Sequence, residues 1–557
     1  ITGPDGGMEV KLRVPVSGND GQGPSLIVQT IFEDQSGRIW AGTSGGLALL
    51  DQAELVFTLF TFQEDNEFSL SNNDVQAILQ DKEGTFWIGT NTGLNRFETQ
   101  TNRFYRYFHD PGDEYSLVQN SVEDIILDPH DNLVIGTLGG ISVLSIQDQQ
   151  FYNYSFNTQI HTELNNEFVN CLYADEEGNI WIGTDRGGIN QYNVHQNEFE
   201  YLVSSPEVEQ SLSSNTINSV WEDEEALWVG TAGGGLNRID KSSGKYRHYL
   251  YDASMPASIS SDFITCIQRD HLGNLLIGTW GFGLNHLHPG NEEDGNFMHY
   301  LQDPGDDQSL VNNFVSSMAE DRFGMIWIGT YGGLVVYSPE NQEFNRILQS
   351  AEGLIDKIGC LNFDLYSNLW IGTEEGLYFI PASTNEPLYL DFSRTTEYIH
   401  HVDLPGSLSG DYIISIFDDS FGNLWFGTYG NGLNKLPADS LNAGVLSFTH
   451  YSEDEGLCNN TIYGIQEDPS GSLWLSTEKG LSRFNINTER FTNYFMVDGL
   501  LHNQFYWSSS FKSSTGKLYF GSMNGLPSFF PEKIKEHVIE PGVILTDFKI
   551  YNQSVQV

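Results

Sequence analysis

A set of aromatic and polar residues stands at one fixed place in a repeated pattern, directly after a Gly-Thr pair, and their types suit ligand binding. The members are Asp185, Arg186, Trp280, Phe282, Tyr331, Tyr429 and Asn431. Aromatic rings stack on the flat faces of sugars, and neighbouring polar groups fix a ligand's orientation. Variable residues on a constant frame are typical of recognition loops. The alternative, that these side chains pack against neighbouring repeats or a second ring, stays open.

Catalytic groups are not recognisable in the sequence. The turn before each repeated Trp differs from the sialidase box Ser-x-Asp-x-Gly-x-x-Trp, because here Asp stands three residues before Gly and not two. No His-Glu-x-x-His motif of a zinc protease occurs. Acidic residues are plentiful, and a fold can bring two of them together for glycosidic cleavage without a sequence motif. We predict no catalytic residue and keep a polysaccharide-acting enzyme as the alternative.

Metal and cofactor sites are not predicted either. His286 and His288 alternate on a predicted strand and His400 adjoins His401, a pattern that we interpret as scattered surface histidines. There is no Cys-x-x-Cys pair for zinc and no acidic calcium-binding loop. The cysteines at 171, 266 and 360 share one position of the repeat, where other copies carry small residues, so they are poor candidates for disulfides.

The element that must position these residues is most complete at residues 72–108. Alternation of apolar and polar residues predicts strands at 73–79, 85–90, 94–97 and 103–108. Asp and Gly between the first two strands predict a tight turn. An Asn or Asp before the first strand, Asn73 in this copy, is interpreted as satisfying backbone groups where a loop enters the strand. Antiparallel order then places the residues after Gly-Thr on one face, near the axis.

The period of this element predicts the fold class. The Gly of the Gly-Thr pair or its weaker counterpart recurs eleven times between residues 42 and 521, at steps of 43 to 55 residues. Such a period matches one four-stranded propeller blade. Eight of the 11 tryptophans occupy one position of the repeat, as a structural core residue would, and Trp221 and Trp507, which lie in predicted first strands, are also expected in the core. The sequence therefore predicts an all-β protein of eleven blades, split over two rings, with one large ring as the alternative.

The boundary between the two rings is predicted near residue 346. The copy that begins at Lys357 lacks the polar Asp-Pro to Ser-Leu segment that precedes other copies, which suggests repeats 1–7 in residues 1–346 and repeats 8–11 in residues 347–540. The alternative boundary lies near 203, with four blades and then seven, the first ring lacking three blades. Residues 8–15 are a candidate closing strand for a blade begun elsewhere in the chain.

The charge balance excludes several kinds of partner. The 557 residues carry 75 acidic and 26 basic side chains, a net charge of −49. Binding to nucleic acid depends on clustered Lys and Arg, so we predict none. An anionic membrane surface would repel the chain, and no apolar run is long enough for a transmembrane helix. Any contact with a membrane is expected only through segments outside this sequence.

The repeats resemble those of the two-component regulator propeller family. Their pattern is Val-x-x-Ile-x-x-Asp-x-x-Gly-x-Ile/Leu-Trp-Ile/Phe-Gly-Thr-x-x-Gly-Gly-Leu-Asn, and the best copies lie at 169–190, 315–334 and 413–434. Residues 541–557 resemble the first strand of the tyrosine-rich immunoglobulin-like domain that follows such propellers. Well-known members carry fourteen copies in two seven-bladed rings, whereas this chain shows eleven.

The resemblance implies a periplasmic sensor module of a histidine kinase-type regulator. Such a module binds a carbohydrate or other small solute and signals through a homodimer of the full-length protein to an output domain outside this chain. A protein-interaction scaffold without signalling is the remaining alternative.

Overall fold

The structure, a computed structural model, describes residues 27–52, 56–113, 115–145, 150–154, 164–175, 178–192, 199–205, 208, 210–349, 355–382, 390–443, 447–534, 549–550 and 553–554. Eleven antiparallel sheets follow one another along the chain, which confirms the predicted all-β propeller class. We number these sheets as blades 1 to 11. Contacts divide the chain into two units, residues 1–195 and residues 196–557.

The first unit contains blades 1 to 4. Its strands, four to a blade and three in the described part of blade 4, are β1 (Val28–Glu33), β2 (Ile39–Thr43), β3 (Gly46–Asp51), β4 (Val56–Phe60), β5 (Val75–Gln80), β6 (Phe86–Thr90), β7 (Gly93–Glu98), β8 (Arg103–Tyr107), β9 (Val122–Leu127), β10 (Leu133–Thr137), β11 (Gly140–Leu144), β12 (Phe151–Tyr154), β13 (Val169–Ala174), β14 (Ile180–Thr184) and β15 (Gly188–Tyr192).

The second unit contains blades 5 to 11. Its strands are β16 (Glu200–Leu202), β17 (Ile217–Glu222), β18 (Ala226–Thr231), β19 (Leu236–Asp240), β20 (Tyr246–Tyr249), β21 (Ile264–Arg269), β22 (Leu275–Thr279), β23 (Leu284–Leu287), β24 (Met298–Tyr300), β25 (Val315–Glu320), β26 (Ile326–Thr330), β27 (Gly333–Ser338), β28 (Glu343–Gln349), β29 (Ile358–Phe363), β30 (Leu369–Thr373), β31 (Leu377–Ile380), β32 (Thr396–Tyr398), β33 (Ile413–Asp418), β34 (Leu424–Thr428), β35 (Leu433–Leu436), β36 (Thr449–Tyr451), β37 (Ile462–Glu467), β38 (Ser472–Thr477), β39 (Gly480–Asn485), β40 (Arg490–Tyr494), β41 (Phe505–Lys512), β42 (Leu518–Ser522) and β43 (Leu526–Phe529).

Helices are few and short in the described residues. They are α1 (Ala438–Ala443) and the 3-10 turns Phe392–Arg394, Glu453–Glu455, Met496–Asp498 and Pro531–Lys533. None of the described helices has the length and apolar character needed to cross a membrane.

The turn that recurs between the first two strands of each repeat is stabilised by local hydrogen bonds, as blade 2 shows. Asp81 Oδ1 accepts the amide protons of Glu83 and Thr85, at 3.1 and 2.8 Å. Its other oxygen accepts the indole proton of Trp87 at 3.0 Å. Gly84 takes a φ of +89°, which glycine adopts without strain. The same Asp–Trp hydrogen bond occurs in every blade whose second strand carries the Trp.

The Gly-Thr pair serves both the turn and the contact between blades. Thr90 Oγ1 donates to the carbonyl of Gly93 at 3.0 Å and closes the next turn. A Cβ added to Gly89 would lie 2.5 Å from Val122 Cγ1, in the first strand of blade 3. Glycine is therefore required because the following blade inserts a β-branched side chain at this point. The blades pack closely next to the axis for that reason.

A short strand closes the second unit into a ring of seven blades. Leu202 of β16 pairs with Leu526 of β43, so a strand that precedes blade 5 completes the sheet of blade 11. The first strands of blades 11 and 5 also meet, because Ser509 Oγ donates to the carbonyl of Ile217 at 3.2 Å. The eleven blades therefore do not form one ring, and that alternative is wrong.

The predicted boundary near residue 346 is also wrong. Trp327 of blade 7 packs in one core with Ile358 and Leu369 of blade 8, so the two blades are neighbours in the same ring. The division between units lies at His195 and Gln196, which is the arrangement of the alternative boundary near 203. The absence of the polar segment before blade 8 does not interrupt the ring, because Ile355 in the shorter connection lies in the same core as Trp327 and Ile358.

The Asn and Asp residues before the first strands have the predicted structural role. Asn73 Oδ1 accepts the backbone proton of Phe62 at 2.6 Å, and Asn313 does the same for Gln302 at 2.7 Å. At the C-terminal end, Lys549–Ile550 pairs with Gln553–Ser554. The rest of the expected immunoglobulin-like strand, and the candidate closing strand at 8–15, lie outside the described residues.

Candidate functional site

Two positions in blades 6, 7 and 9 of the ring lie side by side at the end of the central channel. One is the residue just before the first strand, and the other is the residue just after Gly-Thr. Trp280 N–H donates to the carbonyl of Phe263 at 3.1 Å, which holds the two side chains next to each other. The equivalent bonds join Tyr331 to Phe314 at 3.2 Å and Tyr429 to Tyr412 at 2.9 Å.

Aromatic side chains fill these positions in blades 6 and 7 and contact one another in sequence. The ring of Phe263 lies 5.2 Å from that of Trp280, which lies 4.3 Å from Phe314. Phe314 in turn lies 3.9 Å from Tyr331. In blade 9, Tyr412 and Tyr429 form a separate pair at 5.4 Å. Blades 6 and 7 thus present a continuous aromatic surface on one side of the channel mouth.

A bulge in the first strand of each blade supplies the polar part of the site. In blade 6 the pairing shifts between Ile264 and Cys266, so Thr265 is the extra residue. The same shift leaves Asn218, Ser316 and Gly359 as the extra residues in blades 5, 7 and 8. Bulges redirect side chains locally. The four extra residues line a pocket at the channel mouth.

The mouth pocket, as we call this cavity, has a volume of about 70 Å³. It is lined by Asn218, Phe263, Thr265, Trp280, Phe314, Ser316, Tyr331, Gly359, Tyr506 and Trp507. A larger channel of about 290 Å³ continues along the first strands of all seven blades. The mouth pocket therefore combines aromatic walls with a floor of small polar groups, and none of its lining residues is charged.

A small charged network adjoins the aromatic wall. Tyr331 Oη donates to Glu374 Oε1 at 3.4 Å, and Lys357 Nζ lies 3.3 Å from the same carboxylate. Lys357 also pairs with Glu375 at 3.1 Å, which raises the lysine pKa. Burial and the nearby Glu374 raise the pKa of Tyr331, so its hydroxyl remains a protonated donor at neutral pH. The network fixes the orientation of the Tyr331 ring.

The structure brings two of the seven predicted residues into the mouth pocket, Trp280 and Tyr331. Trp280 is 47% exposed and so is accessible to a ligand. Phe282 is exposed on the same turn, but it does not line the pocket. Tyr429 and Asn431 lie in blade 9 of the same ring and are exposed, outside the pocket lining.

The remaining two predicted residues belong to blade 4, in the first unit. Asp185 and Arg186 are both exposed and form an ion pair with 3.6 Å between Oδ2 and Nε. Arg186 has a φ of +60°, which suits its place in the turn after Gly-Thr. The prediction grouped them with the aromatic residues because all follow the same motif, but they are not among the residues of the mouth pocket.

Several pocket residues were not predicted, and one was placed wrongly. Trp507 was expected in the core, yet it lines the pocket and is half-buried. Phe263 and Phe314 precede their first strands directly, a position that the sequence reasoning did not examine. An aromatic residue there, together with one after Gly-Thr, is the signal that identifies the wall. Trp221, also expected in the core, lies 5.4 Å from Phe511 and lines the larger channel.

The histidine prediction is wrong for His286. It is fully buried, and its ring lies 4.2 Å from that of His288. Burial, with a smaller effect of His288, lowers the pKa of His286 to about 4, so it is neutral at pH 7. Within the described residues, no group of three or more His, Cys, Asp or Glu side chains is arranged to hold a metal ion.

The cysteines differ in burial: Cys360 is buried, Cys266 and Cys458 are half-buried, and Cys171 is exposed. All four are free thiols. Burial raises the pKa of Cys266 and of Cys360 to about 12, which makes them poor nucleophiles.

Several repeats of the sequence match a known protein family. Residues 22–45, 69–92, 163–186, 309–332, 407–430 and 456–479 match the family described as two component regulator propeller. A protein of Formosa agariphila called histidine kinase P4 is 28% identical over 257 residues, which make up 44% of this chain and 18% of that protein.

A solved structure resembles most of the chain. The extracellular domain of a hybrid two component system from B. thetaiotaomicron is 26% identical, with a TM-score of 0.67. The similarity covers 95% of this chain and 66% of that one. The chain thus spans less than two thirds of either relative. This chain therefore carries repeats that match the two component regulator propeller family, and its fold is similar to that of the extracellular domain of a hybrid two component system.

Proposed function

We propose that this chain is the periplasmic, ligand-sensing part of a membrane-bound two-component signalling protein, and that its ligand is a carbohydrate. The observation that carries the proposal is the mouth pocket, where aromatic walls surround a floor of hydroxyl and amide groups. Sugars offer an apolar ring face and several hydroxyls, so such a pocket satisfies both parts of the molecule. The relatives supply the signalling context.

The charge of the protein narrows the ligand class. A net charge of −49 repels polyanions over long distances, and Glu374 adds a local carboxylate beside the pocket. Uronic acid polymers and sulfated glycans are therefore disfavoured against neutral saccharides. Binding then changes the arrangement of a homodimer of the full-length protein, and an output kinase outside this chain responds.

Catalysis is not part of the proposal. The groups in the mouth pocket are hydroxyls, an amide, aromatic rings and a glycine backbone. The pocket lining contains no pair of carboxylates of the kind that cleaves a glycosidic bond. A sensor needs its ligand to leave unchanged. The alternative of a polysaccharide-acting enzyme predicts new reducing ends when the purified chain is incubated with a polymer.

The proposal is tested by calorimetric titration of the chain with linear neutral hexasaccharides of glucose, xylose and mannose. We expect at least one to bind, and Trp280→Ala to weaken that binding about tenfold, roughly 1.4 kcal/mol, because the stacking surface is lost. Phe282→Ala is the matched control, since Phe282 shares the turn but not the pocket. No heat with any saccharide, or release of reducing ends, would contradict the proposal.

A further inference from the structure

The bulge in the first strand of blade 11 is longer than the bulges of the other six blades of the ring. In blades 5 to 10, two steps along the first strand oppose one step along the second, which leaves one extra residue. In blade 11, the pairing passes from Phe505 with Ser522 directly to Ser510 with Phe520. Five steps along β41 thus oppose two steps along β42, and three residues are extra.

The contacts of Ser509 show where the additional residues lie. Its Oγ donates to the carbonyl of Ile217, the first strand residue of the following blade, at 3.2 Å. In blade 9, Ser415 directly follows the bulge, and its Oγ makes the equivalent bond to Ile462 at 3.0 Å. Ser509 therefore holds the ordinary position after the bulge. Two of the residues 506–508 are an insertion relative to the other blades.

The longer bulge brings two aromatic side chains toward the channel axis. Blade 11 lies between blades 10 and 5, so in a ring of seven blades it stands opposite blades 7 and 8. Tyr506 and Trp507 nevertheless line the same cavity of about 70 Å³ as Tyr331 of blade 7 and Gly359 of blade 8. Side chains of opposite blades share so small a cavity because one blade reaches inward. The insertion in blade 11 supplies that reach.

The blade opposite the insertion has the smallest bulge residue. A Cβ built on Gly359 in blade 8 would meet no atom closer than the carbonyl oxygen of Ile413, at 3.4 Å. Blades 9 and 10 carry Ile414 and Tyr463 at this position, and both are buried and do not line the mouth pocket. A ligand group therefore has room between blade 8 and the two aromatic residues of blade 11.

Two tryptophans approach the mouth pocket from the blades on either side of blade 5. Trp280 belongs to blade 6 and is 47% exposed, and Trp507 belongs to blade 11 and is half-buried. Each indole thus keeps ring surface that a ligand can cover. An aromatic ring covers one apolar face of a sugar, so two indoles on different sides of a pocket can cover both faces.

We infer that Tyr506 and Trp507 form a second aromatic wall of the mouth pocket, and that a sugar ring of the ligand lies between Trp280 and Trp507. A cavity of about 70 Å³ holds roughly two water molecules at liquid density, so the sugar ring enters as the second wall moves outward. Residues 506–508 can move in this way because the ladder with β42 includes none of them. This inference rests on the proposed function, because it adds a contact to the same ligand.

Shortening the bulge tests the second wall as a whole. Deletion of Tyr506 and Trp507 leaves one residue before Ser509, which restores the bulge of the other six blades, so we expect an unchanged melting temperature. The measurement is calorimetric titration with whichever neutral hexasaccharide of glucose, xylose or mannose binds the wild-type chain. We expect the deletion to weaken binding by at least about tenfold, because one of the two stacking surfaces is lost.

Single substitutions keep the test decisive even if the deletion does not fold. Trp507→Ala should weaken binding about tenfold, and Trp507→Phe, which retains an aromatic face, less than about threefold. Phe282→Ala serves again as control and should leave the affinity unchanged. Rescue by phenylalanine distinguishes a contact with the ligand from a general loss of packing.

Tryptophan fluorescence gives a second readout. The emission of the wild-type chain should shift when the hexasaccharide binds, because the ligand removes water from the indoles that it covers. Trp507→Phe should reduce this shift. Trp221→Phe is the matched control and should retain it, since Trp221 also lies in a first strand outside the motif position but lines the larger channel and not the mouth pocket.

The outcomes separate this inference from the proposed function. If the wild-type chain binds a hexasaccharide and Trp280→Ala weakens the binding, but Trp507→Ala binds normally, the inference is wrong and the sensor proposal stands. The same holds if the deletion binds more tightly, since Tyr506 and Trp507 would then obstruct the site, or if Trp507→Phe retains the full fluorescence shift. If the wild-type chain binds none of the hexasaccharides, both statements fail.

Discussion

Both units are built from the same repeat. Equivalent residues are buried in the seven-bladed ring of the second unit and exposed in the terminal blades of the first unit. Trp181 in blade 4 is 38% exposed, whereas Trp327 in blade 7 is fully buried. Val28, which opens blade 1, is 39% exposed, whereas Ile217 at the same place in blade 5 has no exposure. The repeat therefore specifies an apolar face, and only a neighbouring blade covers it.

The contacts of two tryptophans explain this difference. Trp327 packs against Ile358 and Leu369 of the following blade, beyond its own sheet. Trp87 packs in the same way against Leu133 of blade 3. Trp181 keeps its hydrogen bond to Asp175 at 2.9 Å, so its own blade is correctly formed without such cover. Blade formation and blade packing are thus separable contributions to stability.

The largest predicted effect compares the two tryptophans directly. Trp327→Ala should destabilise blade 7 by about 3–5 kcal/mol, because a large buried side chain is removed and a cavity remains. Trp181→Ala should cost clearly less, since part of that ring already contacts solvent. Hydrogen–deuterium exchange of peptides from each blade measures the local loss. An equal loss of exchange protection in blades 4 and 7 would show that Trp181 is buried in solution.

The second-largest predicted effect concerns the free energy of unfolding of the seven-bladed propeller at acidic pH. The pKa of His286 in the folded protein is about 4, below its ordinary value of 6.5. The folded state therefore keeps this side chain neutral, and its contribution to the free energy of unfolding is complete above pH 6.5. That contribution is lost as the pH falls from 6.5 to 4, and amounts to roughly 3 kcal/mol at most. His286→Val should remove the pH dependence in this window, as measured by denaturation at several pH values.

Valine is the matched replacement, because Val336 occupies the same register in blade 7. The groups that face His286 are His288, Tyr300, Tyr337 and Asp270. His288→Gln is the control, since it removes the neighbouring titratable ring without removing the buried one. An unchanged acid profile in His286→Val would assign the pH dependence to another group.

The smallest effect compares the turn carboxylates of the same two blades. Asp321 accepts hydrogen bonds from Phe323, Met325 and the buried Trp327 indole, the last at 2.8 Å. Asp321→Ala leaves these donors unsatisfied and should cost about 1–3 kcal/mol. Asp175→Ala should cost less, because water can reach the half-exposed Trp181. Thermal melting with local exchange distinguishes them, and a larger cost in blade 4 would contradict the comparison.

Much of each blade was predictable because its determinants are close in sequence. The strands expected at 73–79, 85–90, 94–97 and 103–108 occur at Val75–Gln80, Phe86–Thr90, Gly93–Glu98 and Arg103–Tyr107. The Asp–Trp hydrogen bond spans six residues, and the Thr–Gly bond spans three. Because these interactions join residues that are close in sequence, the order of the residues predicts them.

The pocket was only partly predictable. The motif position identified Trp280 and Tyr331, because every residue after Gly-Thr lies on the same face. It did not identify Asn218, since a bulge residue in a predicted strand has no distinguishing sequence signal. Which blades adjoin the mouth pocket depends on how seven sheets are arranged around the axis.

The amino-acid sequence by itself determined the blade: its four strands, its Asp-capped turn, and the glycine that accepts the next blade's aliphatic side chain. Tertiary structure alone decided where the ring closes and which side chains meet at its mouth. Closure depends on Glu200–Leu202, three residues without a recognisable pattern, pairing with a strand at Leu526–Phe529. Pairing across such a distance is governed by the packing of all seven blades, because no local interaction links its two partners.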